Sequence, residues 1–285
     1  MGEAFTTEQK KSEAADVALS APLKEQATGD RKRRILSIVL ANGAPILFLL
    51  AWWLIAQRVP PYILPSPVAV AQATGDLLVG TDAIHTYTSF IRVLIAVVVA
   101  LGLGGMLVMM ANLLPVTEAL VGNRVLPFLN SIPSLGWAIV GVVWFGVSNL
   151  AVIFVLTAIL LPFCMVNLWE GTRAIDRGLV EMGQSFTRSR WKVFHRIELP
   201  LLMPYVFAAV RLSFSVGWKV ALIAEFFGAR QGLGIVMNRA RQNFDTPLLF
   251  AAIAVVLIIV FIFERLIFDR IGKAFALRTG TGAAA

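Results

Sequence analysis

The sequence predicts an all-α, polytopic membrane protein with six transmembrane helices. Three observations carry that prediction. Of 285 residues, 58% are hydrophobic and only 15% are charged, where a soluble domain carries roughly a quarter charged. The apolar residues fall in blocks long enough to cross a bilayer. Basic residues gather just outside those blocks, the arrangement that sets membrane topology. Topology therefore accounts for the net charge of +8. No RNA- or DNA-binding motif accompanies it, so nucleic acid is not an expected partner.

Residues Met1 to Asp30 are polar and lack an apolar period; the expectation is a disordered cytoplasmic tail, with 1–34 as its domain limits. Arg31-Lys32-Arg33-Arg34 then precede a first span, Ile35 to Ala56. A cleaved signal peptide would have a shorter apolar part and no long polar tail before it. Pro60, Pro61, Pro65 and Pro67 exclude a regular helix in the next segment. A short amphipathic helix over Val68 to Leu78 should lie at the outer surface. The second span is placed at Thr88 to Met110; its Gly102, Gly104 and Gly105 admit a close neighbouring helix.

The third span, Val125 to Phe145, carries Pro127, Asn130, Ser131, Pro133, Ser134 and Gly136 in its first half. Irregular backbone at membrane depth needs protein or a wet cavity to receive its polar groups. A broken or kinked helix lining a pathway is expected; the alternative is a simple proline kink packed among helices. The fourth span runs from Leu150 to Leu168, the fifth from Tyr205 to Phe227 and the sixth from Leu248 to Phe263, which Pro247 is placed to start. An outer loop containing Gly228, Gly232 and Gly234 separates the last two. The membrane domain is set at 35–271 and a cytoplasmic C-terminal tail at 272–285.

Orientation follows from the basic residues. With both termini inside, the inner segments hold eighteen Lys and Arg and the outer ones four, so the N-in, C-in arrangement is expected. The segment Trp169 to Met203 then lies in the cytoplasm. Asp176 is positioned to cap a helix within it. Leu179, Met182, Phe186, Trp191, Phe194 and Ile197 recur at roughly helical spacing, so one face can dock in a partner's groove. Arg188, Arg190, Lys192 and Arg196 would form a polar rim or meet lipid headgroups. Pro200 should force a turn before the fifth span.

No phosphate-binding G-x-x-x-x-G-K-[ST], H-E-x-x-H, paired metal-spaced Cys or His, or G-x-S-x-G occurs. No catalytic residue, metal site or cofactor is expected in this chain. Cys164, the single cysteine, lies inside an apolar block and reads as a small buried residue. The fifth span places Arg211, Ser215 and Lys219 four apart on one face, with Glu225 near its outer end. A mid-helix charge costs about 2.5–3.5 kcal/mol on insertion scales, so that face should meet protein or water. Arg211 or Lys219 would lower the barrier for an anion; the alternative is a structural ion pair, or Arg211 snorkelling to the interface. Asn130, Ser131 and Ser134 could add uncharged hydrogen bonds to the same path.

The segment 169–203 carries Glu181-Met182-Gly183, three residues, Thr187, nine residues, then Ile197-Glu198-Leu199-Pro200. This resembles the cytoplasmic loop of permease subunits of bacterial ATP-driven (ABC-type) importers, E-A-A-x3-G-x9-I-x-L-P. Glu181, Ile197, Leu199, Pro200 and every gap are kept. Met182 and Gly183 stand for the two Ala and Thr187 for the Gly. A Gly there permits positive φ, which Thr tolerates poorly, so a reshaped turn is expected, with Gly183 restoring some local freedom.

The resemblance extends from Ile63 to about Ile271 and is to the nitrate/sulfonate/taurine/bicarbonate branch. It is carried by Leu64-Pro65-Ser66-Pro67, Ser89-Phe90-Ile91-Arg92-Val93, Trp144-Phe145-Gly146, Ser189-Arg190-Trp191, Leu199-Pro200, Ala224-Glu225 and Gly232-Leu233-Gly234. It implies a type I importer membrane domain in the bacterial inner membrane. It further implies a pore built from two such subunits, two ATP-hydrolysing subunits docked inside, and an extracytoplasmic substrate-binding protein outside. ATP would be bound by the partner. The competing reading is a self-sufficient secondary transporter or channel, which needs mid-span coupling carboxylates. Glu225 is the candidate for one, and no internal repeat supports that class.

Overall fold

A computed structural model describes residues 43–113 and 124–273. The chain divides into a unit ending at Pro67 and a larger one from Val68 onward. In the first, helix α1 (Gly43–Ala56) is apolar on every side, the composition of a helix in lipid. The rest of the expected first span, the basic run before it and both expected tails up to Asn42 and from Ala274 lie outside the described residues. After α1 the prolines impose turns, with the Ile63 and Leu64 amides donating to the Pro60 carbonyl at 2.9 and 3.2 Å. The Trp52 indole donates to the Pro65 carbonyl at 3.0 Å, folding this run back on α1.

The second unit begins with α2 (Pro67–Val79), whose buried Val70, Thr74 and Leu77 mark one face. The Thr86 hydroxyl donates to the Leu77 carbonyl at 2.7 Å, tying α2 to α3 (Ala83–Leu113). The third span is broken, as expected. Helix α4 (Leu126–Ser131) ends at Ile132, which is extended with ψ 120°, and α5 (Ser134–Phe145) restarts after Pro133. A proline disfavours the helical conformation in the residue before it, and here Ile132 leaves it. Helix α6 (Asn149–Ala174) follows, its first turn capped by the Ser148 hydroxyl.

The core lies among α3, α6, α9 and α11. Trp218, Leu156, Leu160, Val93 and Val255 are fully buried there, beside small residues such as Ala96, Ala100 and Ala251. Packing of large against small residues lets the backbones approach. Gly104 serves that purpose on α3, since a Cβ there would lie 3.2 Å from the Cys164 Cβ of α6. Gly105 touches Leu168 more loosely, and Gly102 faces open space.

Two expectations are corrected. The segment 169–203, where composition suits short helices from Ala174 to Arg196, holds longer ones continuous with the spans. Helix α6 runs to Ala174, α7 (Arg177–Phe186) crosses, and one continuous helical rod extends from Arg190 to Gly228. That rod comprises α8 (Arg190–Val193), a π turn (Phe194–Glu198) and α9 (Leu199–Gly228). Pro200 therefore forces no turn. A helical proline loses one hydrogen bond and strikes the carbonyl four residues back. The π turn directly before it, closed by the Leu199 amide on the Phe194 carbonyl, widens the backbone and relieves both. Nor is the segment after Gly228 only a loop. It folds as α10 (Leu233–Gln242) before α11 (Thr246–Ile262) and a second π turn (Phe263–Phe268). Pro247 does start α11, with the Asp245 carboxylate accepting from the Leu248 amide at 3.1 Å.

Among the described residues, four helices are long and apolar enough to cross a membrane: Ala83–Ala111, Asn149–Ala174, Arg190–Gly228 and Thr246–Lys273.

Candidate functional sites

Helix α7 begins where Asp176 accepts from the Gly178 amide at 2.8 Å, the cap the sequence foretold. It presents three faces. Leu179, Met182 and Phe186 share one, and they are exposed, Phe186 to 84%. Trp191, 69% exposed, continues that apolar surface on the rod, stacked 5.9 Å from the His195 ring. Gly183 forms the second face, against the rod. A Cβ there would lie 2.2 Å from the Ile197 Cδ1 and 3.5 Å from Val193. The small residue at 183 and the Ile at 197 thus meet, which explains their shared spacing. Gly183 is helical, so it supplies space rather than backbone freedom. The third face, Arg177, Val180, Glu181 and Gln184, lines a polar cleft with Thr172, Arg173, Ile175 and Glu198. Glu181 therefore points away from the apolar surface. Thr187 is extended, with φ −152° and ψ 133°, and its hydroxyl accepts from the Ser189 amide at 3.3 Å. The positive φ that a glycine would permit is not used at this position, so threonine is unstrained there.

The basic face of α9 divides. Arg211 is compensated: its Nε lies 3.0 and 2.9 Å from the two Glu264 oxygens, and Nη2 donates to Asp269 Oδ1 at 3.1 Å. The π turn in the last span brings Glu264 and Asp269 to it. Lys219 is exposed on the same helix as exposed Leu212, Ile223 and Phe227. No described carboxylate pairs with it. Ser215, half-buried, lies one turn away. Asn130 and Ser131 are exposed and Ser134 is half-buried on the broken span. The Ser131 hydroxyl is spent on its own helix, donating to the Pro127 carbonyl at 2.7 Å.

Glu225 is in a different setting from the rest of that set. It is fully buried and pairs with Arg92 at 2.7 Å, the two side chains being 0% and 4% exposed. Its Oε2 accepts from the Ser89 hydroxyl at 2.7 Å and the Gly234 amide at 3.0 Å. Arg92 also donates to the Gln231 carbonyl at 2.6 Å and to Asn149 Oδ1. The Leu233 amide donates to Ser89 at 2.9 Å, and the Gly232 amide to His85 Nδ1 at 3.1 Å. Gly232 has φ 122°, and a Cβ on it would lie 2.4 Å from the Glu225 carboxylate. Glycine is required here on both counts. One carboxylate thus joins α3, the start of α6, α9 and α10. Sequence reasoning missed Ser89, Arg92 and Asn149 as its partners. The signal was present in Arg92, a second mid-span charge that had to be neutralised, three residues from Ser89 on one helix face.

Helices of bilayer length around a buried core, joined by an exposed helical hairpin, mark a multi-pass integral membrane protein. Residues 108–280 match the family described as binding-protein-dependent transport system inner membrane component. That is more than half of the chain, which belongs to this family of ABC importer permeases. It is 26% identical over 236 residues to the taurine transport system permease protein TauC of Escherichia coli, covering 80% of this chain and 85% of that one. It is 31% identical over 238 residues to the riboflavin transport system permease protein RibX of Chloroflexus aurantiacus, covering 77% and 84%. It is 28% identical over 214 residues to the formylaminopyrimidine transport permease protein ThiX of Halalkalibacterium halodurans, covering 73% and 83%. The chain is a permease component that carries a small solute across the inner membrane in company with an ATPase and a substrate-binding protein.

Proposed function

We propose that the α6–α7–rod hairpin is the socket for a cytoplasmic ATPase and turns its movement into rotation of the spans. The observation that carries this is the exposed apolar surface of Leu179, Met182, Phe186 and Trp191. Exposed aromatic and Met side chains on rigid helices are the anchors of helix-in-groove docking. The elements behind them are stiff. The rod is 39 residues long, about 58 Å of unbroken helix, so displacement at α7 is carried into the membrane instead of being absorbed by a loop. Gly183 against Ile197 locks α7 to that rod. ATP is bound and hydrolysed by the partner, and this chain contributes no catalytic group.

The assembly we infer has two copies of this chain forming the pathway, two ATP-binding subunits at the cytoplasmic hairpins and a binding protein outside. Both termini are cytoplasmic, as the eighteen-to-four distribution of basic residues favours. Lys219 faces the pathway with Ser215 beside it, and the broken third span contributes Asn130 and Ser134. Arg211 is neutralised by Glu264 and Asp269, so of the two described cations on this face of α9 it is Lys219 that would attract cargo. A small anion, a sulfonate, nitrate or carboxylate, is the cargo this charge favours. A self-sufficient transporter would need a mobile mid-span carboxylate, and Glu225 is locked in its buried pair.

The docking reading is tested by pull-down of the tagged chain from cells that also express its ATPase. Met182→Glu combined with Phe186→Glu places two charges on the apolar surface. Loss of the ATPase, with the chain still inserted and monodisperse, is expected. Undiminished recovery of the ATPase would overturn the reading.

A further inference from the structure

Two clefts adjoin at the end of α6 and the π turn of the rod. One is apolar, about 470 Å³, and is walled by Leu101, Gly105 and Val108 of α3, Leu168 of α6, and Leu202 and Val206 of α9. The other is the polar cleft under α7, about 540 Å³. Thr172, Ile175 and Glu198 line both, so the two form one amphipathic groove. Each is within the size range of small-ligand sites.

We propose that this groove is a binding site for a phospholipid with a zwitterionic ethanolamine headgroup, one of its two acyl chains in the apolar half and its headgroup under α7. Depth supports a lipid chain. The apolar wall extends from Leu101 to Met109 on α3 and from Glu198 to Val206 on the rod, about 12 Å of helix in each case. One leaflet of hydrocarbon is about 15 Å thick, half of the ~30 Å core. Charge supports the headgroup. The polar half carries two cations, Arg173 and Arg177, and two carboxylates, Glu181 and Glu198. Guanidinium groups suit a phosphate, and Arg173 is held over the Trp169 ring at 5.3 Å. A purely anionic headgroup would leave both carboxylates facing like charge. A primary ammonium answers them and can donate hydrogen bonds, which a quaternary choline cannot. The lipid would fill the space between α7 and the spans and stiffen the hairpin where it must transmit force.

This inference rests on the membrane placement of the chain and not on ATPase docking, and its test needs no ATPase. The purified full-length chain is delipidated in mild detergent, re-exposed to mixed vesicles of phosphatidylethanolamine, phosphatidylglycerol and phosphatidylcholine, and weighed by native mass spectrometry. Retention of one phosphatidylethanolamine per chain, at least tenfold over the other two, is expected. Gly105→Leu fills the apolar half and should reduce retention at least tenfold. Gly102→Leu, on the open side of the same helix, should leave it unchanged. Equal retention of the three lipids by the native chain overturns the headgroup assignment. Equal retention by a folded Gly105→Leu chain and the native one overturns the site.

Discussion

Removing the Glu225 carboxylate should destabilise this protein more than removing the Arg92 guanidinium, although each change breaks the same ion pair. Glu225→Leu strands a guanidinium that is 4% exposed and deprives the Ser89 hydroxyl and Gly234 amide of their acceptor. Breaking a buried pair in this way costs about 3–5 kcal/mol, a hundredfold or more in the folded-to-unfolded ratio. Arg92→Leu leaves a carboxyl that still accepts from Ser89 and Gly234, and a carboxyl can take up a proton where a guanidinium cannot. Its cost should be about 1–3 kcal/mol, that of unsatisfied hydrogen bonds at Gln231 and Asn149. The double substitution removes both charges and should fall between the two single ones. The assay is thermal loss of the monodisperse chain in detergent, ranked wild type, Arg92→Leu, double, Glu225→Leu in falling order. If Glu225→Leu is no worse than Arg92→Leu, or the double loses the sum of the two, the carboxylate is not the shared acceptor described above.

Gly183→Ala should drive a methyl into the Ile197 Cδ1, costing about 1 kcal/mol of overpacking and slowing ATP-driven uptake several-fold. Ile197→Val, which removes that methyl, should restore it, and uptake by the pair of substitutions is the check. Lys219→Met should abolish uptake of an anionic cargo while assembly with the ATPase, read by size-exclusion chromatography, is intact. Lys219→Arg, which keeps the charge, should retain part of the transport.

Much of this architecture was legible because bilayer physics writes long, uniform signals. Apolar blocks located the second and fourth spans to within two helical turns, while the fifth and sixth helices run well past theirs, and Pro133 announced the break between α4 and α5. The cap at Asp176 and the helix start at Pro247 followed from local chemistry. The hairpin was harder to read. Charge between Trp169 and Met203 reads as short helices set apart from the spans, yet helices that leave the membrane keep their backbone bonds and simply change their side chains. Pro200 reads as a stop signal, and a π turn that no residue pattern encodes neutralised it. Thr187 and Gly183 were judged by backbone conformation, when what decides them is an extended turn at the first and the Ile197 methyl at the second. The buried centre at Glu225 was visible only as separate charges. Its assembly depends on helices far apart in sequence, with Ser89 and Arg92 over a hundred residues away.

Transport in proteoliposomes, with and without the ATPase, tests the central claim most directly. The account expects the chain alone to move no solute. ATP-dependent uptake should arise once the ATPase and binding protein are added, and vanish with Met182→Glu/Phe186→Glu. Uptake by the chain alone, insensitive to ATP and to those substitutions, would contradict it.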